Sequence, residues 1–154
     1  MVLISKSPED TIKIGRKFAH ILFPNAIVAL VGSLGSGKTV FVKGICQGLG
    51  ITQEVTSPSF ALMNVYQNHI VVFHFDFFRL NSLKEIADLG IEEFLFANGI
   101  SVIEWAEKAK SFLGNDCIWV TIERLPEMEE TSKENWRRIK IEGLPEHLKT
   151  GFEN

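Results

Sequence analysis

The run Gly32-Ser33-Leu34-Gly35-Ser36-Gly37-Lys38-Thr39 constrains this chain more than any other segment. It satisfies the eight-residue P-loop pattern, and its neighbours supply the context that the pattern requires. The apolar run Ala26 to Val31 reads as a strand buried on both faces, and Phe41, Ile45 and Leu49 follow at helical spacing, with Gly48 and Gly50 placed to stop the helix. Glycines admit backbone conformations and close approaches that side chains block, so successive amide N–H groups can surround a phosphate. A helix beginning near Lys38 adds unpaired N–H groups and the positive end of its dipole. The Lys38 ammonium can then bridge β- and γ-phosphates while the Thr39 hydroxyl ligates magnesium.

Composition narrows the setting. The chain has 154 residues, 45% of them hydrophobic and 23% charged, which predicts one globular domain over residues 1–154 with a sizeable core. A net charge of −3 supplies no global basic field, so any link to RNA should run through a local patch or a partner. Ala26 to Val31 is the longest apolar stretch and is far below the roughly 18 residues of a membrane span. Lys6, Glu9 and Asp10 interrupt any signal-peptide core. Cys46 and Cys117 form no short motif and read as core residues of a cytoplasmic protein that has no membrane role.

Ser7-Pro8-Glu9-Asp10 predicts the start of an amphipathic helix that ends near Pro24-Asn25. Phe60 to Tyr66 and Ile70 to Phe75 predict an antiparallel hairpin about Gln67-Asn68-His69. Ser82-Leu83-Lys84-Glu85 matches a capping box for a helix running to Gly90, with a second short helix between Ile91 and Ala97. Ile100 to Ile103 is a further buried strand, Trp105 to Leu113 a helix, Cys117 to Ile122 a strand, and Trp136 to Ile141 a last strand after an acidic loop. Together these predict a three-layer α/β domain of the P-loop NTPase type, with a mixed, mainly parallel central sheet and a β-hairpin.

A P-loop site needs a carboxylate at a neighbouring strand end to hold magnesium and a polar group to orient the attacking nucleophile. Asp76 ends Val71-Val72-Phe73-His74-Phe75, and Glu104 ends Ile100-Ser101-Val102-Ile103, so both have the required location. Arg79 suits either a phosphate or a surface ion pair. His74 has no second metal ligand at suitable spacing and reads as a hydrogen-bonded structural histidine, and Trp105 reads as a packing residue.

Taken in order, the P-loop, Thr56-Ser57-Pro58-Ser59-Phe60, His74-Phe75-Asp76-Phe77-Phe78-Arg79-Leu80, Glu85 with Leu89-Gly90, and Glu104-Trp105 resemble the TsaE (YjeE) family. The resemblance spans roughly Thr11 to Trp105 and reaches Arg137. It implies an ATPase that uses ATP and magnesium in tRNA threonylcarbamoyladenosine synthesis beside two partners, TsaB and TsaD, and meets tRNA indirectly through that complex. It makes Thr39 and Glu104 the magnesium holders and Asp76 the water-orienting or basic group, with Lys38 also serving the reaction. Nucleotide contacts are expected from Gly32, Ser33, Leu34, Gly35, Ser36, Gly37, Lys38, Thr39 and Val40. The resemblance adds Thr11 and Arg137 near the base and ribose, and Trp105 coupled to a switch-type loop at Thr56-Ser57-Pro58. The chain departs from the family's commoner residues at Ser33, Ser59 and Phe78.

Two other readings share the phosphate cradle. A small-molecule or nucleotide kinase would need an acceptor pocket and a lid, yet the arginines at 16, 79, 124, 137 and 138 form no lid cluster. A nucleotide-gated assembly module would use ATP to order a loop, with hydrolysis incidental. A GTPase is disfavoured, because neither an Asn-Lys-x-Asp nor an Asp-x-x-Gly segment is present.

Overall fold

Among the described residues, seven strands form one sheet in the order β1-β7-β6-β2-β5-β4-β3. The computed structural model describes residues 1–58, 60–126 and 134–153. The strands are β1 (Val2–Ser5), β2 (Ile27–Val31), β3 (Met63–Gln67), β4 (Val71–Asp76), β5 (Ile100–Glu104), β6 (Ile118–Arg124) and β7 (Arg137–Glu142). The neighbours β6, β2, β5 and β4 are parallel, whereas β3, β7 and β1 each pair antiparallel with their neighbours. The fold is the mixed three-layer α/β arrangement expected, hairpin included.

Alternation along the central strands builds two cores, because successive side chains point to opposite faces. Val28 and Leu30 of β2 face α1 (Pro8–Ala19), α2 (Lys38–Gly48) and α6 (Glu146–Glu153), where Phe18, Phe41 and Phe152 pack. Ile27 and Ala29 face the opposite layer, made of α3 (Leu83–Asp88), α4 (Glu92–Leu95), a 3₁₀ turn (Ala106–Ala109) and α5 (Lys110–Leu113). Both cysteines lie in these cores, and burial pushes the Cys46 thiol up to about 12 and the Cys117 thiol up to about 11. Among the described residues, no helix is long and apolar enough to cross a membrane.

The caps form as the sequence indicates. Ser7 Oγ accepts from Asp10 N at 3.1 Å, and Ser82 Oγ accepts from Glu85 N at 3.2 Å. Of the boundaries that differ from expectation, three have a visible cause. The first helix stops at Ala19, because Ile21 N and Leu22 N bond back to Phe18 O and Ala19 O in a tightened turn. The hairpin's first strand begins at Met63, since Leu62 adopts φ 66° and its N–H closes a turn onto Pro58 O. That turn leaves Phe60 87% exposed instead of in a strand. The helix expected from Trp105 begins only at Ala106, and as a 3₁₀ turn, because Trp105 is left-handed at φ 58°. The strand β1 and the helix α6 were not anticipated. Ser59 and most of the acidic loop, residues 127–133, lie outside the described residues.

Candidate functional site

Sheet register brings the sequence-separated acids together. Asp76 is the register partner of Glu104 across β4 and β5, and Glu104 is in turn the partner of Leu30 in β2, just ahead of the glycine-rich loop. Both carboxylates therefore stand at the carboxyl ends of parallel strands, where open α/β sheets hold their ligands. Each residue is 3% exposed. Thr39 Oγ1, in the first turn of α2, donates to Glu104 Oε1 at 2.8 Å.

The loop itself opens into a cleft of about 450 Å³ lined by Leu34 to Val40, Ser57, Asp76, Phe78, Arg79, Glu104 and Trp105. Gly37 precedes α2 at φ 107°, a conformation costly for any other residue, and a Cβ there would meet nothing within 4 Å. It supplies no side-chain cap, so the amides of Lys38, Thr39 and Val40, which an α-helix leaves without intrahelical acceptors, sit in the cleft wall. The Ser36 hydroxyl is buried with no hydrogen-bond partner among the described residues. From outside, Arg137 Nε donates to Ser36 O at 2.8 Å and Arg124 Nη2 to Gly35 O at 3.2 Å. These two arginines end adjacent strands as register partners and hold loop carbonyls away from the cleft.

Lys38 Nζ donates to Gly32 O at 2.7 Å and Ser33 O at 3.0 Å, and lies 4.4 Å from the centre of the Trp105 ring. Burial lowers its pKa from the ordinary lysine value despite the nearby carboxylates of Glu104, Glu107 and Asp76, which raise it. The strained Trp105 backbone thus places an aromatic face over a desolvated ammonium, and the ring also packs 5.0 Å from Phe78. Lys108 pins the same wall by donating to Phe78 O and Leu80 O at 2.5 and 2.9 Å.

Asp76 is held on both oxygens: Ser57 Oγ donates to Oδ2 at 2.8 Å and Phe78 N to Oδ1 at 2.9 Å. His74 is hydrogen bonded, as expected, to Glu104 and Tyr66. Arg79 lines the cleft with its guanidinium 4.2 Å from the centre of the Phe60 ring, a cation–π contact rather than the surface ion pair considered for it. Thr11 is not among the cleft-lining residues; it is 2% exposed, with Oγ1 2.7 Å from Ser5 Oγ. Arg137 touches the loop's back rather than the cleft, and Gly32 and Ser33 line a neighbouring hollow beyond Trp105. Sequence reading placed Ser57 in the switch-type loop without its bond to Asp76, and missed Tyr66, Lys108 and Arg124, which lie in no motif.

The family model described as "Threonylcarbamoyl adenosine biosynthesis protein TsaE" matches residues 5–134. The chain belongs to the TsaE family. It is 38% identical over 122 residues to the tRNA threonylcarbamoyladenosine biosynthesis protein TsaE of Treponema pallidum, covering 79% of this chain and 90% of that protein. Its identity to the TsaE of Bacillus subtilis is 34% over 119 residues, 77% of this chain and 74% of the relative. The crystal structure of Bacillus subtilis YdiB superposes with a TM-score of 0.79 at 25% identity, covering 99% of this chain and 91% of that one. Membership in the TsaE family thus agrees with the resemblance carried by the motifs, and the structural neighbour extends the likeness to the whole sheet.

Proposed function

We propose that this TsaE-family chain binds ATP with magnesium in the cleft above Gly32–Thr39 and hydrolyses it slowly. In this reading it acts in the cytoplasm with TsaB and TsaD to sustain threonylcarbamoyladenosine formation on tRNA, at the adenosine next to the anticodon. The observation that carries the reading is the 2.8 Å contact of Thr39 with Glu104 beside the Lys38 ammonium, at the start of a helix whose first amides are uncapped. A hydroxyl, a carboxylate, an ammonium and free amides form a donor set suited to a polyphosphate and a hard divalent cation. The open space at Gly37 is where a side chain would obstruct such a ligand.

Bound magnesium-ATP supplies the scissile phosphoryl bond. Thr39 and Glu104 are the residues to hold the cation. Lys38, now turned onto its own loop's carbonyls, is the residue to neutralise phosphate charge. Asp76, fixed by Ser57 and by the Phe78 amide, is the residue to orient a water and accept its proton. Arg79, the one arginine that lines the described cleft, is turned onto the Phe60 ring, and slow turnover with stimulation by a partner belongs to this reading.

The test is calorimetry with ATP, with and without magnesium, joined to phosphate-release assays. Lys38→Ala should weaken binding by about 10- to 100-fold, since charged hydrogen bonds contribute about 1.5–3 kcal/mol. Glu104→Gln should remove the magnesium dependence, and Asp76→Asn should spare binding and lose hydrolysis. Unchanged affinity in folded Lys38→Ala protein contradicts the site.

A further inference from the structure

The hydrogen bonds of Glu104 lead out of the cleft as well as into it. Oε1, which accepts from Thr39, also lies 2.9 Å from Nε2 of His74, a fully buried residue. The other ring nitrogen, Nδ1, lies 3.3 Å from Tyr66 OH. Tyr66 OH is 3.2 Å from Thr56 O and 3.4 Å from Thr56 N, while Asn64 Nδ2 donates to the same carbonyl at 3.1 Å. An unbroken chain therefore runs from Thr39 through Glu104, His74 and Tyr66 to the backbone of Thr56. The next residue, Ser57, donates to Asp76. Consecutive loop residues are thus tied to the two acids separately.

Strand geometry makes this chain possible. His74 and Asp76 share a face of β4, and Asn64 opposite His74 in β3 sets Tyr66 diagonally across from the imidazole. The proton inventory gives the bonds a direction. An ionised Glu104 only accepts, so Nε2 carries the proton, and in a neutral ring Nδ1 accepts the single Tyr66 hydroxyl proton; the phenol oxygen then meets the loop as acceptor of the Thr56 N–H at 3.4 Å, while Asn64 Nδ2 serves Thr56 O. Because Glu104, His74 and Tyr66 are buried, a partner lost among them leaves a polar group unpaired, and a shift at Glu104 is passed along to the phenol rather than absorbed.

We propose that His74 and Tyr66 are positioning residues that couple the cation-holding carboxylate of Glu104 to the loop at Thr56–Ser57, and through Ser57 to Asp76. The proposal rests on the ATP-magnesium reading above. When the Thr39 hydroxyl and Glu104 turn to a divalent cation, His74 remains the donor that fixes the carboxylate. Any rotation of that carboxylate moves the imidazole and the phenol joined to it. Cation occupancy then sets the position of the loop that orders Asp76.

Hydrogen exchange at the Thr56 and Ser57 amides, measured with ATP in the presence and absence of magnesium, tests the relay. In the unsubstituted protein magnesium should change exchange there by about threefold or more, a shift of the size expected from one rearranged hydrogen bond. Tyr66→Phe, which removes one oxygen, and His74→Gln, which keeps a donor toward Glu104, should each lose that response while ATP affinity without magnesium stays within about twofold. In a Glu104→Gln background, Tyr66→Phe should add nothing, whereas a merely structural role would leave the two effects additive. If His74→Gln fails to fold, Tyr66→Phe and the double substitution still decide. Variants that keep the full magnesium response overturn the relay alone. An unsubstituted protein that fails to bind magnesium-ATP overturns the function and the relay together.

Discussion

At Lys38, burial and attraction oppose each other. Desolvation outweighs the pull of Glu104, Glu107 and Asp76, so the folded-state pKa falls below 10.5. At pH below that lowered value the fold carries the cost of a buried charge. Between the lowered value and 10.5 the unfolded chain binds the extra proton, so this residue's contribution to stability rises with pH across that window. A polyphosphate reverses the balance by favouring the ammonium. Nucleotide binding without magnesium should therefore take up a proton in this alkaline window, and affinity should fall as pH rises through it. Calorimetry in two buffers of different ionisation enthalpy measures the uptake, and Lys38→Ala should abolish it. Lys38, Thr39, Asp76 and Glu104 were legible in the sequence because each follows an apolar run that had to be a buried strand, or follows the loop directly. Tyr66, Lys108 and Arg124 were not, because their contacts cross strands whose order no local pattern specifies.

Among the elements, the strand–loop–helix unit was the most readable, since apolar runs, glycines and caps all pointed to one answer. The strand β1 escaped notice because it is four residues long, at a sheet edge, with Val2 and Ile4 half exposed. Trp105 and Leu62 defeated propensity for another reason: both sit at positive φ, held there by tertiary contacts. Helix pairing carries a sharper sequence mark. A Cβ on Gly44 of α2 would strike the Ile12 carbonyl of α1, and one on Gly15 would come within 2.6 Å of Phe41 O. Gly44→Ala should therefore destabilise the protein by about 1–3 kcal/mol, the usual cost of overpacking, despite alanine's better helix propensity. Urea denaturation reads this directly, and an unchanged midpoint would show that the two helices can separate freely. Because α2 carries Thr39, the same variant should also lower ATP affinity.

At the scale of the molecule, the order of strands is what makes a site from these parts. Placing β5 and β4 beside β2 aligns Glu104 and Asp76 with the loop, while β6 and β7 bring Arg124 and Arg137 behind it. The cleft that results has Leu34 71% exposed, Phe78 41% exposed and Phe60 at its rim, an apolar border that a partner surface can cover. If TsaB or TsaD closes that border, nucleotide binding and complex formation must strengthen each other by the same factor. The most direct measurement is multiple-turnover tRNA modification with TsaB, TsaD, tRNA and threonylcarbamoyl-adenylate, run with and without this chain and ATP. Repeated turnover should require both and fail with Asp76→Asn, whereas sustained turnover without either one would contradict the proposed role.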